Sequence, residues 1–262
     1  MQIYGPLDAL PLWGFFMAVL FLVLLSVEGG YRLAQYRRRR SEQETEAPVG
    51  AMVGATLGLL AFMLAFTFGY AADRFDLRRQ LLLDEANAIG TTYLRAGMLP
   101  EQREEVRKLL RDYVDTRLDA VKSNKIAEGI RRSEQLQDQL WAQTVTLGER
   151  NPTSIVVGLF VTSLNEVIDL HAKRVTAGVR NRIPGAIWLA LLAVAVLALA
   201  AVGYHAGLAG TNRSLAQVAV ALTFSVVIGL IADLDRPQEG TLTVSQQALV
   251  DLRQSMQGSR PP

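Results

Sequence analysis

The sequence predicts an all-α integral membrane protein with four transmembrane helices and one helical extramembrane domain between the second and third spans. Three observations predict this. Four apolar runs approach or exceed the roughly 20 residues that a helix needs to cross a hydrocarbon core. Residues 73–182, between the second and third runs, carry charge and helical periodicity instead. The composition is mixed, 50% hydrophobic and 20% charged, which is too charged for spans alone and too apolar in its runs for a soluble domain. The chain accordingly divides into residues 1–72, two spans joined by a basic loop; 73–182, the helical domain; 183–232, two further spans; and 233–262, a polar tail.

The first run covers residues 11–27. Arg32, Arg37, Arg38, Arg39 and Arg40 follow it, whereas a signal peptide carries its positive charges before its apolar stretch, so the run is expected to remain as a span. The second run, 49–72, holds no charged residue and is the strongest span. Helical periodicity then persists through Phe75, Leu82, Ile89 and Tyr93 with no proline before Pro100, which predicts that this span continues as one long helix to about residue 94.

Pro100 and Glu101 suit a helix start, and Val106, Leu109, Leu110, Tyr113, Val114, Leu118 and Val121 supply an apolar stripe at helical spacing. A second amphipathic helix is expected over 126–147, with Gly148 marking its end. Asn151 and Pro152 read as an N-cap and first helical residue, opening a helix over 153–179 whose apolar run 155–161 is too short to span and is expected to be buried. The third span, 183–204, has Trp188 and Tyr204 near its ends, a placement that suits the two membrane interfaces. A connection with Asn212 and Arg213 leads to the fourth span, 215–232, and a short helix over 244–256 precedes the terminal Pro261 and Pro262.

An even number of spans puts both termini and the helical domain on one side. The arginine cluster in the short first loop favours that loop as cytoplasmic, while Arg74, Arg78, Arg79, Lys173, Arg174, Arg180 and Arg182 beside the domain favour the opposite orientation. Short loops weigh more than the flanks of a large domain, so the cluster is expected to face the cytoplasm and the helical domain the outside.

Several functional classes have no support. A net charge of +2 does not advertise nucleic acid as a partner. Cys 0 removes disulfides, thiol nucleophiles and thiolate metal sites together. The two histidines, His171 and His205, lack a partner at metal-ligand spacing and read as packed or solvated imidazoles, so no metal and no cofactor is assigned. No phosphate loop, nucleophile elbow or kinase signature is present, and Asp84 and Glu85, adjacent on a helix, point to different faces and cannot form an acid/base pair. The chain does not read as an enzyme.

What remains is concentrated on the second span. Gly50, Gly54 and Gly58 recur every four residues, a spacing that lets helix backbones approach within the chain or between subunits. Phe62, Phe66 and Tyr70 continue the register as a slowly winding aromatic stripe, read either as packed aromatics or as a hydrophobic constriction that gates a pore by dewetting. Asp73, Arg74 and Asp76 close the second span and Asp233, Asp235 and Arg236 close the fourth, as interfacial ion pairs or as an acidic vestibule. Glu28 is placed to pair with Arg32 at i, i+4.

The segments LAFTFGYAADRFDLRRQLLLDEANAIGTTYLRAGMLP, SLNEVIDLHAKR, RIPGAIWLALLAV and ADLDRPQEGTLTVSQQALVDLR, in that order, resemble the bestrophin-like family of bacterial membrane proteins, over residues 49–253. The family takes its name from bestrophins, pentameric anion channels whose second transmembrane helix lines the pore and supplies a hydrophobic neck. The resemblance implies a homo-oligomeric channel for inorganic ions in the bacterial inner membrane, embedded in the lipid bilayer, with Phe62 and Phe66 matching the neck. It also implies a helical domain on the cytoplasmic side. The calcium clasp of animal bestrophins has no counterpart here. The alternative is a non-conducting membrane scaffold or sensor that binds a partner through the surface around residues 87–92.

Overall fold

The structure, a computed structural model, describes residues 10–40, 46–210, 215–237 and 239–258. Asn212, Arg213, Pro261 and Pro262 lie outside the described residues. The elements are α1 (Leu12–Arg39), α2 (Glu46–Ala96), α3 (Arg103–Lys122), α4 (Ile126–Arg150), α5 (Ile155–Val175) with a π-helical turn Thr176–Arg180, α6 (Gly185–Leu208), α7 (Leu215–Asp235) and α8 (Gln247–Gly258). Two compact units result: residues 1–75 with 182–243, and residues 76–181 with 244–262.

The first unit holds the membrane helices. Among the described residues four helices are long and apolar enough to cross a membrane. Their core joins Phe15, Val19 and Val23 of α1 to Leu60 and Leu64 of α2, Leu191 and Leu199 of α6, and Ile228 and Ile231 of α7. The tightest approach is between α1 and α6. A Cβ added at Gly203 would collide with the backbone of Val27, one at Gly207 with that of Tyr31, and one at Gly30 with that of Ala200. Three glycines therefore let two backbones touch where apolar side chains alone would hold them apart. Trp188 is 3% exposed, edge-on to Phe15 at 5.7 Å between ring centroids. The ring is packed against α1, which covers that face of α6. The first helix also runs past the apolar stretch, so Arg37, Arg38 and Arg39 form its last turn, where cations suit the helix dipole. Arg37 donates to the Tyr204 hydroxyl at 3.3 Å, and Arg32 pairs with Glu28 at 2.6 Å.

The second unit is helical throughout its described regular elements and has its own core. Ile89 and Tyr93 of α2 meet Leu110, Tyr113 and Val114 of α3, Leu136 and Leu140 of α4, Phe160 and Leu164 of α5, and Leu249 of α8. The long second helix is observed as one element of 51 residues, with Pro48 tolerated in its first turn. Other boundaries shift. α3 starts at Arg103 because Gln102 takes a left-handed φ of 58° that no helix continues through. Ser154, not Asn151, caps α5, its hydroxyl accepting from Val157 N at 3.4 Å, while the Asn151 amide donates to Leu147 O at the end of α4. Gly148 sits inside α4 and ends nothing. The run 155–161 is only half covered: Val157 and Phe160 are buried, whereas Ile155 is 80% exposed.

Candidate functional site

Two groups of residues stand out, one in each unit. In the membrane unit, α2 buries Val53, Leu60, Leu64, Thr67 and Ala71 against the other spans. Its opposite face is open. Phe62 and Phe66 are 69% and 72% exposed, flanked on the same open surface by Gly54, Gly58, Ala61, Ala65 and Gly69. Among the described residues nothing lies within 4 Å of where a Cβ at Gly54 or Gly58 would sit, whereas one at Gly50 would meet the His205 ring. Among the described residues the glycine register therefore makes no close helix contact at Gly54 and Gly58. The open faces of α1 and α7 carry mainly large side chains, Trp13, Met17, Phe21 and Leu25 on one and Leu222, Val226 and Leu230 on the other, whereas α2 exposes Met52, Leu59 and Phe68 together with several glycines and alanines. Large side chains suit contact with acyl chains, whereas a mixed glycine, alanine and phenylalanine face suits close approach of another helix.

At the end of this stripe, Tyr70 accepts from Arg74, whose guanidinium lies 4.2 Å from the Tyr70 ring centroid and is buried. Asp73 and Asp76 are exposed. The two aspartates that close α7 are buried and committed to local structure. Asp235 accepts from Ile183 N at 2.9 Å and Arg182 Nε at 3.0 Å, tying the entry of α6 to the end of α7. Asp233 accepts from Thr241 N at 2.9 Å and from the Thr241 hydroxyl. Gly240, at φ 123°, makes that loop possible, because a Cβ there would strike the Asp233 carboxylate. Arg236 pairs with Glu239 at 3.2 Å.

The second group is a buried polar cluster around Glu85 of α2. Tyr113 of α3 donates its hydroxyl proton to Glu85 Oε1 at 2.9 Å. Glu85 Oε2 accepts from Arg174 of α5 and lies 3.5 Å from Arg117 of α3. Gln137 of α4 donates to the Tyr113 hydroxyl at 3.3 Å, and His171 Nδ1 of α5 lies 3.0 Å from that same oxygen. Burial alone would raise the Glu85 pKa, but Arg117, Arg174 and two hydrogen bonds outweigh it and hold the carboxyl at about 2. Burial and the Glu85 charge push Tyr113 well above its usual value, so the phenol keeps its proton. One carboxylate thus joins three helices around it, a structural role rather than an acid/base one.

Sequence reasoning set Glu85 aside with Asp84. The available signal was periodic: Glu85 lies three residues after Leu82 and four before Ile89, on the apolar stripe of its helix. The surface expected around residues 87–92 is narrower than that range. Ala88, Ile89 and Thr92 are buried and Gly90 packs against Leu252, leaving only Asn87 and Thr91 exposed. Among the described residues no group of three or more His, Asp or Glu side chains converges as a metal site requires.

Helices of membrane length, a bundle core built on backbone contact at glycines and a separate helical core define a multi-pass membrane protein. The chain belongs to the Bestrophin-like family, whose domain model matches residues 17–249. No curated protein matches it. Among solved structures it is similar in fold to a bacterial bestrophin homologue from Klebsiella pneumoniae solved by Zn-SAD phasing, with a TM-score of 0.65 and 18% identity over 93% of this chain and 100% of that one. A mutant bacterial bestrophin homologue from Klebsiella pneumoniae matches with a TM-score of 0.67 and 17% identity over 92% and 98% of the two chains.

Proposed function

We propose that the protein is a homo-oligomeric channel for inorganic ions, with α2 of each subunit facing a shared axis and Phe62 and Phe66 forming the narrowest part. The observation that carries this reading is the open face of α2: uncharged, lined by small residues beside aromatic ones, and uncovered by any other described span of its own chain. Neighbouring copies of α2 would pack through Gly54 and Gly58 and turn the phenylalanines toward the axis. A ring of such side chains passes ions only when wide or wet, because an unhydrated charge in apolar surroundings is very costly. Membership of the Bestrophin-like family supports the same reading, with anions as the conducted class and a bacterial inner membrane as the location we propose. Exposed Asp73 and Asp76 and buried Arg74 follow the stripe in sequence and would set the field at the end of the path.

Purified protein in planar bilayers tests this reading: reproducible unitary currents are expected, and a well-folded oligomer that never conducts would support the scaffold alternative. The packing part has a separate test. Gly54→Leu places a large side chain where two α2 helices approach, so it is expected to shift the detergent-solubilised protein toward smaller assemblies. An unchanged assembly state would show that Gly54 faces lipid.

A further inference from the structure

The polar cluster in the helical unit holds a group that the proposed channel function does not use. Glu85 is ionised and has no proton, so the 2.9 Å contact with Tyr113 consumes the single hydroxyl proton of the phenol. Gln137 donates to one remaining lone pair of that oxygen. His171 Nδ1, 3.0 Å from the same oxygen, must then be a donor, which fixes the neutral ring as the Nδ1–H tautomer. The free lone pair of His171 lies on Nε2, and that atom is buried with no hydrogen-bond partner among the described residues. The charges facing the ring come from three helices: Glu85 of α2, 3.9 Å from Nδ1; Arg117 of α3; and Arg174 of α5 itself. α4 presents the neutral Gln137. Two guanidiniums already oppose one carboxylate, so an added imidazolium would bring a third cation to a layer with one anion.

We propose that His171 Nε2 is a proton-binding site, and that its occupation on acidification opens the packing of α2, α3, α4 and α5 around Glu85. Protonation converts Nε2 from an unpartnered acceptor into a buried cationic donor with nothing to receive its hydrogen bond. Local opening exposes the ring to water and removes that conflict. The proton binds the transiently open state, where the ring is hydrated, and by doing so shifts the equilibrium toward separated helices. The arrangement stands on the hydrogen-bond directions and the charge count, and it does not depend on whether the protein conducts ions. Burial, with Arg117 next, depresses the His171 pKa from 6.5 to about 4, in the sense that this account requires. The opening is therefore independent of pH above about 6.5 and grows as the pH falls toward 4.

Hydrogen exchange on the full chain in lipid nanodiscs, corrected for intrinsic rates, measures the opening. The segments around Glu85, Tyr113 and His171 are expected to exchange roughly 20-fold faster at pH 5 than at pH 7 relative to the intrinsic rate. His171→Gln, which can still donate to Tyr113 but cannot titrate there, is expected to abolish that dependence. An equal pH dependence in His171→Gln, or none in the parent, overturns the proposal. Should the variant fail to fold, nitrogen-labelled histidine spectra of the parent decide, because only two histidines are present and His205→Gln assigns them. An Nδ1–H tautomer at neutral pH with titration well below 6.5 is expected for His171. An Nε2–H tautomer, or ordinary titration, overturns it.

Discussion

Glu85→Gln is expected to destabilise the helical unit by about 3 to 5 kcal/mol, the usual cost of leaving buried charges without their partner. The substitution keeps the shape of the side chain and its capacity to accept from Tyr113, but removes the charge that holds Arg117 and Arg174. Two guanidiniums would then face one another across a neutral amide, each at most slightly exposed. Loss of cooperative melting of this unit in detergent, or a large fall in its midpoint, is the expected readout. An unchanged midpoint would show that the arginines find other partners without cost. The same carboxylate predicts an acid limb. Because its folded pKa, about 2, lies below the ordinary 4.5, its contribution is complete above 4.5 and is lost as the pH falls toward 2. His171 acts earlier, between 6.5 and 4, so the helical unit is expected to weaken in two steps on acidification.

The second large effect concerns the membrane unit. Phe62→Ala combined with Phe66→Ala is expected to raise unitary conductance several-fold, because small side chains widen the constriction and let water enter it. Both rings are largely exposed within the chain, so their removal opens little space in the subunit core. That separates this outcome from ordinary core damage. A well-folded double variant whose conductance equals that of the parent would remove these residues from the ion path.

Much of this architecture is legible in the residues because its causes are local. Membrane length, the uncharged run 49–72 and the stripe through Val106, Leu110, Tyr113 and Val114 each depend on spacing within one helix. Helix starts were less readable, since several neighbouring residues compete to cap. Asn151 and Ser154 can both do so, and the chain uses one to close α4 and the other to open α5. The packing of Trp188 on Phe15 was not readable, because nothing in its own helix announces a partner on α1. The Gly203 and Gly207 pair repeats the spacing of Gly50 and Gly54, yet it is this pair that brings backbones together inside the chain.

The Glu85 cluster was the least legible part of the molecule. Its partners lie 28, 32 and 89 residues away in sequence, at Tyr113, Arg117 and Arg174, so no motif of fixed spacing could announce it. Only the periodic position of Glu85 on an apolar face carried any sign that it would be buried and need compensation. By contrast, the open face of α2 required both kinds of information. Its composition is read from the sequence, and its lack of a covering helix among the described residues only from the fold.

Whether the Phe62 and Phe66 face of α2 lines the ion path can be tested on the chain directly. With Cys 0, a single Phe66→Cys variant carries one reactive thiol and needs no background substitutions. The decisive measurement is unitary current in planar bilayers before and after a charged, thiol-specific methanethiosulfonate reagent. The account predicts that the reagent leaves the parent unaffected and changes or stops the current of Phe66→Cys. A conducting Phe66→Cys channel, shown by mass to be fully modified yet unchanged in current, would contradict it.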